Sequence, residues 1–412
     1  RTFAWAFYGV SMALLIAVLF TGKLVNGARA WFEIGGFRFQ PAEMAKFATC
    51  LAMANFLSGF NFNLRQTGQT AIAFGVFLMP IALILLQPDA GSALVFFSFF
   101  ILLFREGLSQ NYYLIGGSLA AMVILGLVFE PVWVATFLLV VLNAYYISRL
   151  KNSTGWWVFW AVITVATYFW GTIWGFIGEQ MQQNLWEDWH LQSAFLPLHA
   201  LLLGLLFNKN FVRKNSQQQR PVVIALLLFL MGSSIAFGAN YLCFNVLSKH
   251  QQELIKVWLR PQECDPRGSL YNIIQSKMAI GSGGFSGKGF LDGNMTKLRY
   301  VPEQSTDFIF CTVGEEQGFI GVIAVVALFT LLLWRITVIA ERQRADFARR
   351  YAYGVVGILF VHFLINIGMT MGLFPIIGIP LPFISYGGSS LIGFTLMMGV
   401  LLKFDSSGRE RS

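Results

Sequence analysis

Residues 275–310 read QSKMAIGSGGFSGKGFLDGNMTKLRYVPEQSTDFIF, a polar, glycine-rich stretch whose last acid, Asp307, is followed at once by Phe308, Ile309 and Phe310. Just beyond it, residues 317–335 form an apolar run of the length that crosses a hydrocarbon core, about 20 residues. A carboxylate placed where a polar loop meets hydrocarbon is costly unless it has a partner or a task. This alternation of polar loop and apolar run, repeated along the chain, predicts an all-α polytopic membrane protein.

Composition agrees. Of 412 residues, 56% are hydrophobic and 12% charged, against about 25% charged in soluble domains. Twelve candidate spans follow, near 4–24, 42–60, 69–87, 91–105, 111–130, 132–149, 155–177, 192–207, 220–242, 317–335, 352–373 and 389–403. Those at 91–105, 192–207 and 389–403 are short enough to be tilted or partly re-entrant. The formal charge of +9 sits largely in short loops, where it sets orientation and does not point to nucleic acid. Arg65, Arg105, Arg149, Lys151, the 209–220 segment, Arg335 to Arg350 and the tail with Lys403, Arg409 and Arg411 share one side, which the positive-inside rule makes cytoplasmic. Trp156, Trp157, Trp160, Trp170, Trp174, Trp186 and Trp189 read as interfacial belts. No cleavable signal peptide is visible, and Arg1 stands almost inside a span, so an N-terminal segment is expected to be missing. The four cysteines have no metal-ligand spacing and imply no disulfide framework.

The opposite face carries three unusual loops, 25–43, 87–92 and about 243–316. Between Cys243 and Thr306 the last has eight lysines and arginines against five acids. A basic loop on the outer side is either a solvated surface or the seat of an anionic partner such as a lipid pyrophosphate. Residues 372–390, GLFPIIGIPLPFISYGGSS, hold Pro375, Pro380 and Pro382, which a regular helix interior excludes. Broken backbone at membrane depth survives only when buried in protein or lining a polar cavity, so this segment reads as a re-entrant wall.

Several chemistries are excluded. A phosphate-binding GxxxxGK[ST] loop fails at Gly287–Lys288, because Ser282 replaces the first glycine and Gly289 follows the lysine. GxGxxG fails at Ser286. No HExxH or GxSxG occurs, and His190, His199, His250 and His362 are scattered and read as structural. Carboxylates remain. If 303–307 is helical, Glu303 and Asp307 share one face, and a raised pKa would suit Asp307 as a general base. Capping or pairing with a loop arginine is the competing reading. Asp89 after Pro88 reads equally as a cap, and Glu43 with Lys46 as an interfacial pair.

Six blocks then agree in order: NGARAW (26–31), FQPAEMAK (39–46), QPDAGSAL (87–94), DPRGSLYNIIQSKMAIGSGGFSGKG (265–289), VPEQSTDFIFCTVGEEQGFIG (301–321) and NIGMTMGLFPIIGIPLPFISYGGSS (366–390). With them the chain resembles the SEDS family of bacterial membrane proteins (shape, elongation, division and sporulation), the cell-elongation branch more than the division branch. The resemblance implies a peptidoglycan glycosyltransferase that polymerises lipid II into a nascent glycan strand at the outer face of the cytoplasmic membrane. It also implies a class B penicillin-binding protein and other elongation-complex membrane proteins as partners. A lipid II flippase is the alternative.

The family's essential aspartate falls on Asp307 and its loop tryptophan on Trp31. Within the matching blocks and beside them, Arg29, Glu43, Lys46, Asp89, Lys277, Lys288, Arg299, Glu303, Ser385 and Tyr386 are the candidate substrate-binding residues. No cofactor is identified, and a divalent cation is left open, with nothing in the sequence that indicates one. The departures are Ala42 for a usual serine, Ala30 for a second basic residue and Leu254 for an arginine. The resemblance further implies two helices ahead of the first span and makes 131–219 an insertion carrying extra spans, with 243–316 as the catalytic loop.

Overall fold

The computed structural model describes residues 2–25, 27–34, 37–60, 62–148, 154–165, 199–200, 216–247, 249–268 and 270–409. The chain divides into two compact units, residues 1–110 with 253–412, and residues 111–252.

The first unit opens with α1 (Ala4–Thr21), a three-stranded antiparallel sheet and α2 (Pro41–Leu57). The strands are β1 (Lys23–Val25), β2 (Ala28–Ile34) and β3 (Phe37–Phe39), with Lys23 opposite Trp31 and Glu33 opposite Arg38. The sequence reads this region as a loop, so the sheet is a correction: Val25, Trp31, Phe32, Ile34, Phe37 and Phe39 are strand-forming types, but they are interrupted by glycines and charged residues and form short strands. Next come α3 (Thr67–Leu85), α4 (Ala90–Val95), a 3₁₀ turn (Phe96–Ser98) and α5 (Phe99–Arg105).

In the second unit lie α6 (Gln110–Val128), α7 (Pro131–Ser148), α8 (Thr154–Val165) and α9 (Ser216–Tyr241). Gly126 gives α6 and α9 their close approach, since a Cβ there would stand 2.7 Å from the Ala236 backbone. Asn240 donates to the Gly126 carbonyl at 3.3 Å. The spans expected at 155–177, beyond residue 165, and at 192–207 lie outside the described residues apart from His199 and Ala200. Trp170, Trp174, Trp186, Trp189 and His190 lie outside them as well.

Helix α10 (Lys249–Leu259) leads back into the first unit, which continues with α11 (Tyr271–Ser282), α12 (Asn294–Lys297), α13 (Ile309–Arg342), α14 (Asp346–Thr370) and α15 (Gly388–Arg409). Among the described residues, seven helices are long and apolar enough to cross a membrane. The chain is a multi-pass membrane protein.

Helices α2 and α14 form the centre of the first unit. Alanines at 42, 45, 48, 52 and 54 line α2, all buried, and let its backbone approach its neighbours, as small residues do in membrane bundles. Gly354 answers them from α14: a Cβ there would lie 2.5 Å from Cys50 Sγ. Between Thr370 and Gly388 the chain is non-helical, as the three prolines require. This expected wall runs beside the polar loop that ends at Asp307.

Candidate active site

Asp307 stands immediately before α13, half-buried. Its backbone is fixed first. The Glu303 carbonyl accepts from the amides of Thr306, Asp307 and Phe308 at 3.1–3.2 Å, with Glu303 itself at φ +53°. Ser385 Oγ donates to the Thr306 carbonyl at 2.5 Å, and the Tyr386 amide donates to the Ser305 carbonyl at 2.8 Å. Asn366, on α14, donates one side-chain N–H to the Asp307 carbonyl (2.9 Å) and another to the Ile379 carbonyl (2.7 Å). The loop and the broken wall are therefore laced together directly by Ser385 and the Tyr386 amide, and through the side-chain amide of Asn366.

The carboxylate faces Gly378, where an added Cβ would lie 3.3 Å from Asp307 Oδ2. Gly378 sits at φ +66°, a conformation glycine adopts without strain. Among the described residues no protein donor bonds the Asp307 carboxylate. Burial, then the nearby charges of Glu303 and Asp89, push its pKa up to about 6. Asp89 is a helix cap, as one reading of the sequence expected: Oδ1 accepts from the Ser92 amide (3.0 Å), and Oδ2 from Ser92 Oγ and Gln40 Nε2 (both 2.8 Å). It is also the third carboxylate of the site. The donors to Asp89 are all neutral, so its charge still reaches Asp307.

Behind the wall lies a buried ionic chain. Lys46 Nζ donates to Glu43 Oε1 (2.7 Å), and both side chains are nearly fully buried. The expected interfacial pair is thus a core pair. Lys46 also lies 2.9 Å from His362 Nε2, while His362 Nδ1 lies 3.0 Å from the Pro380 carbonyl. A carbonyl only accepts, so the ring proton belongs on Nδ1, and Nε2 accepts from the lysine. His362 and Asn366 are one helical turn apart and hold consecutive wall carbonyls, those of Pro380 and Ile379. Neither was a sequence candidate. The signal available was their spacing at i, i+4 on one face of an otherwise apolar helix.

The basic residues are distributed differently from expectation. Lys288 is no free cation: its ammonium bonds Glu315 Oε1 and Ser282 Oγ, each at 2.7 Å. Glu315 is fully buried and also accepts from the Met295 and Thr296 amides (both 2.9 Å) and Thr296 Oγ1 (2.7 Å). One carboxylate thereby fastens the loop between Lys288 and Thr296 to α13. Lys277 is exposed, its Nζ beside Gly372 at the start of the wall. Arg299 is exposed at φ +53°. Arg29 is exposed and Trp31 half-buried on β2. None of these is among the groups that perturb Asp307. The structure thus gathers Asp307, Glu303, Asp89, Ser385 and the Tyr386 backbone, with Glu43 and Lys46 behind them. It does not bring Arg29, Trp31, Lys277, Lys288 or Arg299 onto the acid. Among the described residues no group of three or more His, Cys, Asp or Glu could hold a metal ion.

Fold and site together define a polytopic membrane protein whose polar site is built at a loop, a broken segment and helix ends, with one poised acid. The chain belongs to the FtsW/RodA/SpoVE family of cell cycle proteins, whose model matches residues 1–186 and 216–410. That match passes over 187–215, a shorter stretch than the 131–219 read as an insertion. The peptidoglycan glycosyltransferase RodA of Treponema pallidum is 32% identical over 403 residues, spanning 97% of this chain and 82% of that protein. The peptidoglycan glycosyltransferase MrdB of Escherichia coli K12 is 31% identical, spanning 96% and 77%. A chain from a structure of a peptidoglycan synthase complex, described as coordinating polymerization and crosslinking, superposes with a TM-score of 0.57 at 25% identity, over 98% of this chain and 81% of that one. The crystal structure of the Thermus thermophilus rod shape determining protein RodA gives 0.51 at 23% identity, over 99% and 79%, a likeness of fold.

Proposed function

We propose that this chain is a peptidoglycan glycosyltransferase of cell elongation, polymerising lipid II at the outer face of the cytoplasmic membrane with Asp307 as general base. The observation that carries the role of Asp307 is its carboxylate: raised toward neutrality, free of donors among the described residues and seated against a glycine. An acceptor hydroxyl can therefore take the place a donor would otherwise fill. The sugar 4-hydroxyl attacks the anomeric carbon of the lipid-linked donor. A new C–O bond forms as the bond to the pyrophosphate breaks, and undecaprenyl pyrophosphate leaves with the electron pair. Asp307 takes the hydroxyl proton, and inversion gives a β-1,4 linkage. A base near its own pKa at working pH is well matched to that transfer.

Lys277 and Arg299, exposed and outside every ion pair formed among the described residues, are the cations for the leaving pyrophosphate. Lys288 works indirectly, by closing the loop on Glu315. Trp31 and Arg29 extend the substrate surface along β2. Partnership with a crosslinking class B penicillin-binding protein rests on the likeness to a chain of a peptidoglycan synthase complex.

The alternative is a lipid II flippase, for which the helix break at Gly318 and the non-helical wall are the relevant features. Liposomes carrying the purified chain and labelled lipid II separate the two. Glycan polymer without translocation is the expected result, and translocation without polymer would replace this reading. Asn366 supplies a finer test. Asn366→Leu frees two carbonyls and lets the Asp307 loop shift against the wall. Small displacements at reacting groups cost on the order of 10–100-fold. Turnover per folded chain, with the folded fraction counted separately by size-exclusion and thermal unfolding, is expected to fall by that amount with KM changing far less, whereas a purely structural loss would lower the folded fraction and leave turnover per folded chain unchanged.

A further inference from the structure

Residues 284–291 are bonded to α13 at a depth that can be counted. Arg335 marks the cytoplasmic end of the apolar run, and about 20 residues outward, one hydrocarbon thickness, reaches residues 315–317. The loop is stitched on at that level. Lys288 and Gly289 amides donate to the Glu315 and Glu316 carbonyls (3.1 and 3.0 Å), and Phe319 and Ile320 amides donate to the Gly284 and Phe285 carbonyls (3.0 and 3.2 Å). The stitching needs bare backbone. Gly318 breaks the helix at φ +63°, and a Cβ on Gly287 would stand 2.1 Å from the Glu316 carbonyl oxygen.

At this level the loop turns outward its most apolar side chains. Phe285, Phe290 and Leu291 are 69%, 75% and 62% exposed. Phe285 packs on Phe319 at 6.0 Å between ring centroids, and Phe319 with Ile320 begins the exposed apolar face of α13. The patch is therefore continuous with the surface that the span turns to lipid. We propose that residues 284–291 are a membrane-inserted loop, with Phe285, Phe290 and Leu291 among the acyl chains of the outer leaflet.

Two further observations fit that occupant. Non-helical backbone at this depth is tolerated where protein takes up its polar groups, and here the four bonds above are joined by two more, from the Gly287 amide to the Gly283 carbonyl (2.9 Å) and from the Asp292 amide to the Gly289 carbonyl (3.1 Å). The loop's one cation, Lys288, goes down already paired to Glu315, so no bare charge is carried with it. Past the loop, Lys297, Arg299 and Tyr300 are exposed, the residue types that sit at headgroup level. This assignment is independent of the catalytic reading, because it depends only on α13 crossing the membrane.

Spin labels test it on the whole chain in liposomes without a partner protein, in a Cys264→Ser background that removes the half-buried native thiol. Phe285→Cys, Phe290→Cys and Lys297→Cys each carry the label, and none removes a core side chain. Collisions with oxygen, which concentrates in hydrocarbon, are compared with those of a water-soluble nickel chelate. The oxygen-to-nickel ratio is expected to be several-fold higher at 285 and 290 than at 297. A membrane-impermeant maleimide should likewise react several-fold more slowly at 285 and 290. Ratios and reaction rates at 285 and 290 equal to those at 297 would place the loop in water, or leave its apolar face for a protein partner, and overturn the proposal.

Discussion

Asp307→Asn is expected to lower lipid II polymerisation by about 10²–10⁴-fold, the span of a lost general base, while the protein inserts and purifies as wild type. Asparagine keeps the size of the side chain and its place against Gly378 but cannot accept the proton of the attacking hydroxyl. The backbone bonds that fix the loop, from Asn366, Ser385 and Tyr386, all involve main-chain atoms at 305–307 and survive the change. Loss of activity therefore reports on the proton and not on the fold. The measurement is polymer formed from labelled lipid II by purified chain, and retained polymerisation would remove Asp307 from the base role.

The same substitution is expected to raise stability. The folded state holds the Asp307 proton to a pKa of about 6, against 3.8 for the ordinary side chain. A carboxyl whose pKa is raised by folding binds its proton more tightly in the native state. Stability is thus lost as pH rises from about 4 through 6 and stays lost above it. Roughly two units correspond to about 2–3 kcal/mol. At pH 7.5, Asp307→Asn should therefore melt at a higher temperature than wild type, and the gap should close as pH falls toward 4. Thermal unfolding followed in detergent at several pH values checks it. A variant melting below wild type throughout would show that the acid is not held at a cost. Activity lost and stability gained at one position is the mark of a strained functional group rather than a structural one.

What the sequence made legible follows from what each pattern can encode. Spans were legible because an apolar run of bilayer length has few other fates, and the broken segment before Gly388 because Pro375, Pro380 and Pro382 forbid a helix. Asp307 stood out from its place beside Phe308, and the resemblance singled it out. Partnerships across the fold were not legible. Lys288 looked like a free cation because its partner Glu315 lies 27 residues on, across the glycine loop and the 294–297 turn. His362 looked merely structural because nothing in sequence shows that it faces Lys46 on one side and the wall on the other. Asn366 appears in a matching block, yet its two bonds tie Asp307 to residue 379, a contact that only folding creates. The strands at 23–39 went unread because glycine, charge and short length hid the alternation that marks a strand.

The mechanism rests on Asp307, raised by burial and nearby charge, taking the proton. The most direct measurement is the pH dependence of kcat/KM for lipid II polymerisation by wild type and Glu303→Gln. An acid limb with an apparent pKa near 6 is expected in wild type, since the working base is the deprotonated form. Because Glu303 is one of the charges that raise Asp307, neutralising it should move that limb to lower pH. A rate independent of pH between 5 and 7, or a limb that Glu303→Gln leaves in place, would contradict it.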